Sequence, residues 1–146
     1  MFMKSTKVIN ALSVALIGIS AFCMFMVSMM AFKDPQAVMD LVQVHLPNND
    51  AYSSIRGVYG GVGMTLCIYF IYLAIKNQTQ GLVFISLLWG FYAFSRIVTS
   101  LVEGPLGAFG QNWLRIELAL CLASLCVLVL KLNADRKAVV KGLQAV

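Results

Sequence analysis

Five arginine and glutamate residues lie within or at the edges of long apolar stretches, where a charge is costly unless it finds a partner. They are Arg56, Arg96, Glu103, Arg115 and Glu117. Charged side chains in such stretches usually face a protein interior or a wet cavity. Arginine offers a rigid fork of N–H donors that suits anionic or carbonyl-bearing head groups. The residue types therefore predict either mutual ion pairs or contacts with a small polar ligand.

Residues typical of catalytic and metal centres are scarce in this chain. His45 is the only histidine, and the four cysteines form no Cys-x-x-Cys pair. No nucleophile elbow or phosphate-binding loop is present. The sequence thus predicts no catalytic residue, no metal site and no cofactor, which favours a non-enzymatic protein. The net charge of +5 does not indicate nucleic-acid binding, because most basic residues flank apolar segments.

Four apolar stretches are long enough to hold these residues in a membrane. The chain has 146 residues, of which 60% are hydrophobic and 12% charged, and so few charges would not cover a soluble surface. About 20 helical residues cross the hydrocarbon core, where backbone groups must bond within their own segment. The predicted spans, numbered 1 to 4, are residues 8–32, 57–75, 81–102 and 113–132. We predict an all-α integral membrane four-helix bundle formed by one domain, residues 1–146.

The length of span 1 and the distribution of basic residues predict the topology. Span 1 is about twice the length of a signal-peptide core and lacks an Ala-x-Ala cleavage site, which favours a retained helix. Lysine and arginine concentrate on the cytoplasmic side of membrane proteins. That side carries Lys4, Lys7, Lys76, Lys131, Arg136, Lys137 and Lys141. Because the number of spans is even, both termini are predicted to be cytoplasmic.

The only long connection lies between spans 1 and 2. Asp34-Pro35 is typical of a helix start, since Asp caps the first turn and Pro fits into it. Val38, Leu41 and Val42 then recur at helical spacing. We predict a short amphipathic helix at the outer membrane interface. An ordinary extracytoplasmic loop is the alternative.

Helical spacing predicts which polar residues share a face of each span. The stripes are Arg56, Tyr59, Gly60, Gly63 and Cys67 in span 2, Ser86, Trp89, Gly90, Ala93, Arg96, Ser100 and Glu103 in span 3, and Glu117, Cys121 and Ser124 in span 4. If these stripes face inward, a polar cavity forms at the outer end of the bundle. The predicted ligand-binding residues are Arg56, Tyr59, Trp89, Arg96, Glu103 and Glu117.

Two features of the spans lie outside this predicted site. Arg115 is two residues from Glu117 and is expected to point elsewhere. Gly57-x-x-x-Gly61 and its neighbouring glycines are predicted to let helix backbones approach closely.

Three interpretations of the charged residues remain open. In the first, Arg56 and Arg96 pair with Glu117 and Glu103 and only fix the helix register. In the second, the same groups bind a ligand that enters from the outer leaflet or the periplasm. In the third, they relay protons or ions.

Three local motifs resemble a known family. They are Arg56-Gly57-x-Tyr59-Gly60-Gly61, Arg96 with Glu103-Gly104, and Trp113 with Glu117. Together they resemble small bacterial four-span membrane proteins of domain-of-unknown-function family 4345, broadly similar to the DoxX-like group. The resemblance implies a four-span fold over nearly the whole chain and a bacterial inner-membrane location. DoxX-like relatives are associated with quinone-linked redox complexes, which implies at most an accessory role here.

Three functions follow as expectations. The first is a non-enzymatic membrane protein whose outward-facing polar cavity binds a small amphipathic or anionic ligand, a lipid or a quinone. The second is an accessory membrane subunit of a quinone-linked oxidoreductase, in which a partner supplies the redox centre. The third is a structural homo-oligomer or small transporter built on glycine-rich helix contacts.

Overall fold

Helices make up nearly all of the chain in a computed structural model, which describes residues 2–143. They are α1 (Phe2–Lys33), α2 (Pro35–Asp40), α3 (Asn49–Ile55), a π-helical segment (Arg56–Val62), α4 (Gly63–Lys76), α5 (Gln78–Val102) and α6 (Ala108–Leu143). No strand occurs between residues 2 and 143, so the predicted all-α class is confirmed. The side chains of Lys4 and Lys141, which contribute to the predicted topology, lie outside the described residues.

Four helical stretches are long and apolar enough to cross a membrane. They are Thr6–Lys33, Asn49–Lys76, Gln78–Val102 and Ala108–Ala138, and they contain the four predicted apolar spans. Within an apolar segment of 18 residues in each stretch, no more than 33% is buried inside the protein. Each stretch also has a large apolar side chain that is at least 60% exposed: Phe22, Ile68, Phe91 and Leu122. Lipid is the solvent that stabilises such a surface, so the chain is a multi-pass membrane protein.

Polar caps fix the residues at which three helices begin. The side chains of Asp34, Asn48 and Asn77 each accept a hydrogen bond from a backbone N–H in the following turn, at 2.9–3.1 Å. Pro35 occupies the first turn of α2, as predicted. After α5, Gly104 adopts a φ of +105°, which residues other than glycine rarely adopt. The chain turns towards α6 at this residue.

The predicted short helix between the first two spans is present as α2, but its apolar residues do not share one face. Val38 is only 5% exposed, whereas Leu41 and Val42 are 45% and 49% exposed. The helix ends at Asp40, so Leu41 and Val42 lie in the turn that follows it. The predicted common face is therefore wrong, because helical spacing does not extend past the end of α2.

One compact unit combines α1 up to Ile17, α4 from Leu73, and all of α5 and α6. Ile17, Leu73, Leu82 and Ile85 are among its most deeply buried side chains. A Cβ atom added to Gly81 would lie 2.5 Å from Ile17 Cδ1. The glycine therefore allows α5 to begin in close contact with α1.

The second compact unit covers Gly18–Tyr72. Its hydrophobic core contains Ala31, Val38, Met39 and Leu46, with Met30, Ala51, Tyr52 and Ile55 packed against them. The cluster joins the end of α1 to α2, to the loop after α2 and to α3. The connection between the first two membrane-spanning stretches is thus a packed part of this unit.

Candidate functional site

Arg96 on α5 and Glu117 on α6 form an ion pair. Arg96 Nε donates to both carboxylate oxygens, at 2.9 Å to Oε1 and 2.8 Å to Oε2. The Glu117 side chain is only 2% exposed, whereas that of Arg96 is 22% exposed. A carboxylate so far from water needs a charged or hydrogen-bonding partner. Ion pairing, one of the three interpretations left open by the sequence, is thus found between Arg96 and Glu117.

Small residues below the ion pair let α5 and α6 approach closely. A Cβ atom added to Gly90 would lie 3.4 Å from Cys121 Sγ. The Cys121 thiol in turn lies 3.5 Å from the backbone oxygen of Ser86 and donates to it. Since Cys121 is one turn beyond Glu117 on the same face of α6, this contact places the carboxylate against α5.

Other polar groups between these two helices are satisfied within their own helix. The Ser86 hydroxyl donates to the backbone oxygen of Leu82, and that of Ser124 to Leu120, both at 2.7 Å. Bonds of this kind remove the cost of a buried hydroxyl in lipid.

The terminal nitrogens of the Arg96 guanidinium have no protein acceptor among the described residues, because its hydrogen bonds to Glu117 use Nε alone. Neither of these nitrogens is a buried atom that lacks a hydrogen-bond partner within the described chain. Since neither has a partner, neither is buried. They are therefore accessible from outside the protein. Four N–H donors on the two nitrogens remain open to an acceptor.

An aromatic group borders the guanidinium. Arg96 Cζ lies 5.9 Å from the centroid of the Phe109 ring, a cation–π contact. The Phe109 and Trp113 rings are tilted against each other with centroids 6.2 Å apart. Phe109, Trp113 and Glu117 follow one another at intervals of four residues along α6. Phe109 was not predicted from the sequence, although this spacing extends the Glu117 and Cys121 stripe towards the start of α6.

The predicted stripe on α5 is buried at one end and exposed at the other. Trp89 is 2% exposed, and its ring is tilted against Tyr92 with centroids 6.1 Å apart. Glu103 is exposed at the end of α5, and its side chain forms no ion pair within residues 6–138. The predicted pairing of Glu103 with an arginine is therefore wrong, since α5 ends there and the carboxylate does not need a protein partner.

Arg56 and Tyr59 belong to the other compact unit, where they lie in the π-helical segment. Arg56 is exposed, and its Nε donates to the backbone oxygen of Phe32 at 3.4 Å. Tyr59 is 36% exposed. The Ser28 hydroxyl donates to the backbone oxygen of Gly60 at 2.6 Å. The predicted pairing of Arg56 with a carboxylate is wrong, because a carbonyl at the end of α1 accepts its Nε hydrogen bond.

Two glycines in and after the π segment bring α1 close. A Cβ atom on Gly60 would lie 3.0–3.2 Å from the Phe32 ring, and one on Gly63 would lie 3.3 Å from Ser28 Cβ. Gly57 and Gly61 have no described atom within 4 Å of such a Cβ. The prediction is thus correct for the neighbouring glycines Gly60 and Gly63, and wrong for Gly57-x-x-x-Gly61 itself, because no described residue packs against that pair of glycines.

Comparison with known proteins gives one match. A family model described as "Domain of unknown function (DUF4345)" matches residues 12–128, about four fifths of the chain. No curated protein and no solved structure matches. The matched region contains α2 to α5, most of α1, and the part of α6 that bears Phe109, Trp113 and Glu117. The chain therefore belongs to the DUF4345 family.

Proposed function

We propose that this protein is a non-enzymatic membrane protein that binds a small amphipathic or anionic molecule, a lipid or a quinone, in an outward-facing polar cavity at Arg96. The observation that carries the proposal is the free edge of the Arg96 guanidinium. Its Nε is held by the buried Glu117 carboxylate, while its terminal nitrogens have no protein acceptor in the described chain. A side chain held at one edge and open at the other is already positioned to bind an acceptor, which lowers the ordering cost of binding.

The depth of Arg96 suits a molecule with a polar head and an apolar tail. Arg96 lies six residues before the end of α5, which is about 9 Å along a helix that rises 1.5 Å per residue. A helix end lies near the head groups, so the guanidinium would be close to the polar edge of the hydrocarbon. The Phe109 and Trp113 rings beside it suit that boundary, where aromatic residues are enriched.

We propose a bacterial inner membrane as the location, with both termini in the cytoplasm. The excess of lysine and arginine on one side of the spans supports this orientation. In this orientation the end of α5 that bears Arg96 faces outward. The broader DoxX-like relationship is likewise a proposal, and it assigns no role to any residue of this chain.

The proposal can be tested by identifying what the protein carries when it is extracted from membranes without detergent. Wild-type protein is compared with Arg96→Met, and bound lipids and quinones are identified by mass spectrometry. Arg115→Met is the matched control, because Arg115 is an exposed arginine on α6 with no ion pair among the described residues. Circular dichroism and thermal unfolding, measured on the same detergent-free membrane extracts, show whether each variant is folded.

The expected result is a lipid or quinone that co-purifies with wild type and Arg115→Met in equal amounts and is depleted in Arg96→Met. Equal retention by all three folded proteins would overturn the assignment of Arg96. Co-purification of a subunit with a flavin, haem or iron–sulfur centre would instead favour the accessory role in a quinone-linked oxidoreductase.

A further inference from the structure

We propose that Glu117 sets the ligand class at Arg96, so that the site favours an uncharged carbonyl group over a phosphate anion. This inference rests on the proposed function and specifies what that site binds. It follows from the charge balance of the ion pair and from the position of its free donors.

The two charges of the ion pair lie so close together that the carboxylate offsets much of the attraction between Arg96 and an approaching anion. Both Glu117 oxygens lie within 2.9 Å of Arg96 Nε. The carboxylate is buried, so water does not screen it, and the pair lies in a membrane where the surroundings are poorly polarisable. The site therefore presents hydrogen-bond donors with much less net positive charge than an unpaired arginine would have.

An anion at the free edge would be attracted by Arg96 and repelled by Glu117. It would sit about 4 Å from the guanidinium carbon and about 7 Å from the carboxylate. Because Coulomb energy varies with the inverse of distance, the repulsion would offset more than half of the attraction. The anion would also exchange part of its hydration for contact with the Phe109 ring beside the guanidinium, which is costly. Both terms disfavour a phosphate.

A carbonyl oxygen does not meet either penalty. It accepts one or two N–H bonds from the terminal nitrogens, and it has little hydration to lose. The Phe109 and Trp113 rings beside the guanidinium supply apolar contact for the rest of such a molecule. Ester carbonyls of a neutral lipid and ring carbonyls of a quinone share this chemistry.

Binding of defined probes by native mass spectrometry tests the inference. The neutral probes are dioleoylglycerol, which has ester carbonyls, and decylubiquinone, which has ring carbonyls. The anionic probe is the ether-linked analogue of dioleoylphosphatidic acid, a phosphatidic acid with oleyl chains of the same length as those of dioleoylglycerol but no ester carbonyl. The proteins are wild type, Glu117→Gln, Arg96→Met and the Arg115→Met control. Glu117→Gln keeps an oxygen that can accept from Arg96 Nε but removes the negative charge.

In wild type we expect at least one neutral probe to bind about tenfold more tightly than phosphatidic acid, and the better of the two identifies the carbonyl source. In Glu117→Gln we expect the affinity for phosphatidic acid to rise about tenfold, which corresponds to about 1.4 kcal/mol. Should Glu117→Gln fail to fold, Glu117→Leu, which also removes the negative charge, takes its place in the comparison.

Two failures are distinguishable. If phosphatidic acid binds wild type as tightly as the neutral probes, and this binding is lost in Arg96→Met, the carbonyl preference is overturned while the proposed function stands. If no probe depends on Arg96, both are overturned. An unchanged preference in folded Glu117→Gln also overturns the role assigned to its carboxylate.

Discussion

Removal of Arg96 alone should destabilise the protein more than removal of Glu117 alone. Arg96→Met leaves a carboxylate that is 2% exposed without its partner, and breaking a buried pair in this way costs about 3–5 kcal/mol. Glu117→Leu leaves an arginine that is 22% exposed and can extend towards the head groups. The expected loss in free energy of unfolding is therefore smaller, about 1.5–3 kcal/mol, as for a charge-assisted hydrogen bond.

The free energy of unfolding of the double variant Arg96→Met/Glu117→Leu should lie within about 1 kcal/mol of the wild-type value. The reason is that two apolar residues replace the pair without leaving an unpaired charge. The free energy of unfolding of the four proteins, measured by denaturant titration in mixed micelles, forms a double-mutant cycle. We expect non-additivity of about 3 kcal/mol or more. Additive losses in the double variant, or a larger loss for Glu117→Leu than for Arg96→Met, would refute this reasoning.

Three further predictions concern the second compact unit. Gly60→Ala should lower stability by about 1 kcal/mol or more, because its Cβ would meet the Phe32 ring, whereas Gly61→Ala should be neutral or stabilising by up to about 1 kcal/mol; thermal unfolding in nanodiscs compares them, and equal losses would contradict the assigned contact. Ser28→Ala should cost about 1 kcal/mol by removing its hydrogen bond to Gly60, and no change in the same assay would show that this bond adds nothing. Gln36→Leu should speed hydrogen exchange at the backbone N–H of Leu46, which the Gln36 side chain accepts at 2.9 Å, and unchanged exchange would contradict that role.

The elements that depend on local chemistry could be predicted from the sequence. Apolar length alone indicated the four membrane-spanning stretches, since lipid imposes helices on such segments. Asp34 and Pro35 identified the start of α2, because capping needs only adjacent residues. Ion pairing among the arginines and glutamates was one of the interpretations that followed, because costly charges near the same end of neighbouring spans have few other partners. Only the fold shows that the partner of Arg96 is Glu117.

Features that depend on packing or on departures from α-helical geometry could not be predicted. The π segment at Arg56–Val62 is one such feature, because composition and spacing do not reveal a departure from α-helical hydrogen bonding. The partner of Arg56 is the backbone oxygen of Phe32, and every residue has such an oxygen. Phe109 was missed for a different reason: an aromatic residue before a predicted span is usually an interface anchor, and only the fold shows that Arg96 reaches it.

The free edge of Arg96 is the feature on which the proposed function depends most directly. A high-resolution structure of the protein taken from membranes without detergent would show what lies against it. We expect a non-protein oxygen about 2.7–3.2 Å from a terminal nitrogen of Arg96, on a molecule with an apolar tail, while Nε stays on Glu117. Terminal nitrogens bonded to protein acceptors, or surrounded by lipid tails with no acceptor, would contradict this expectation.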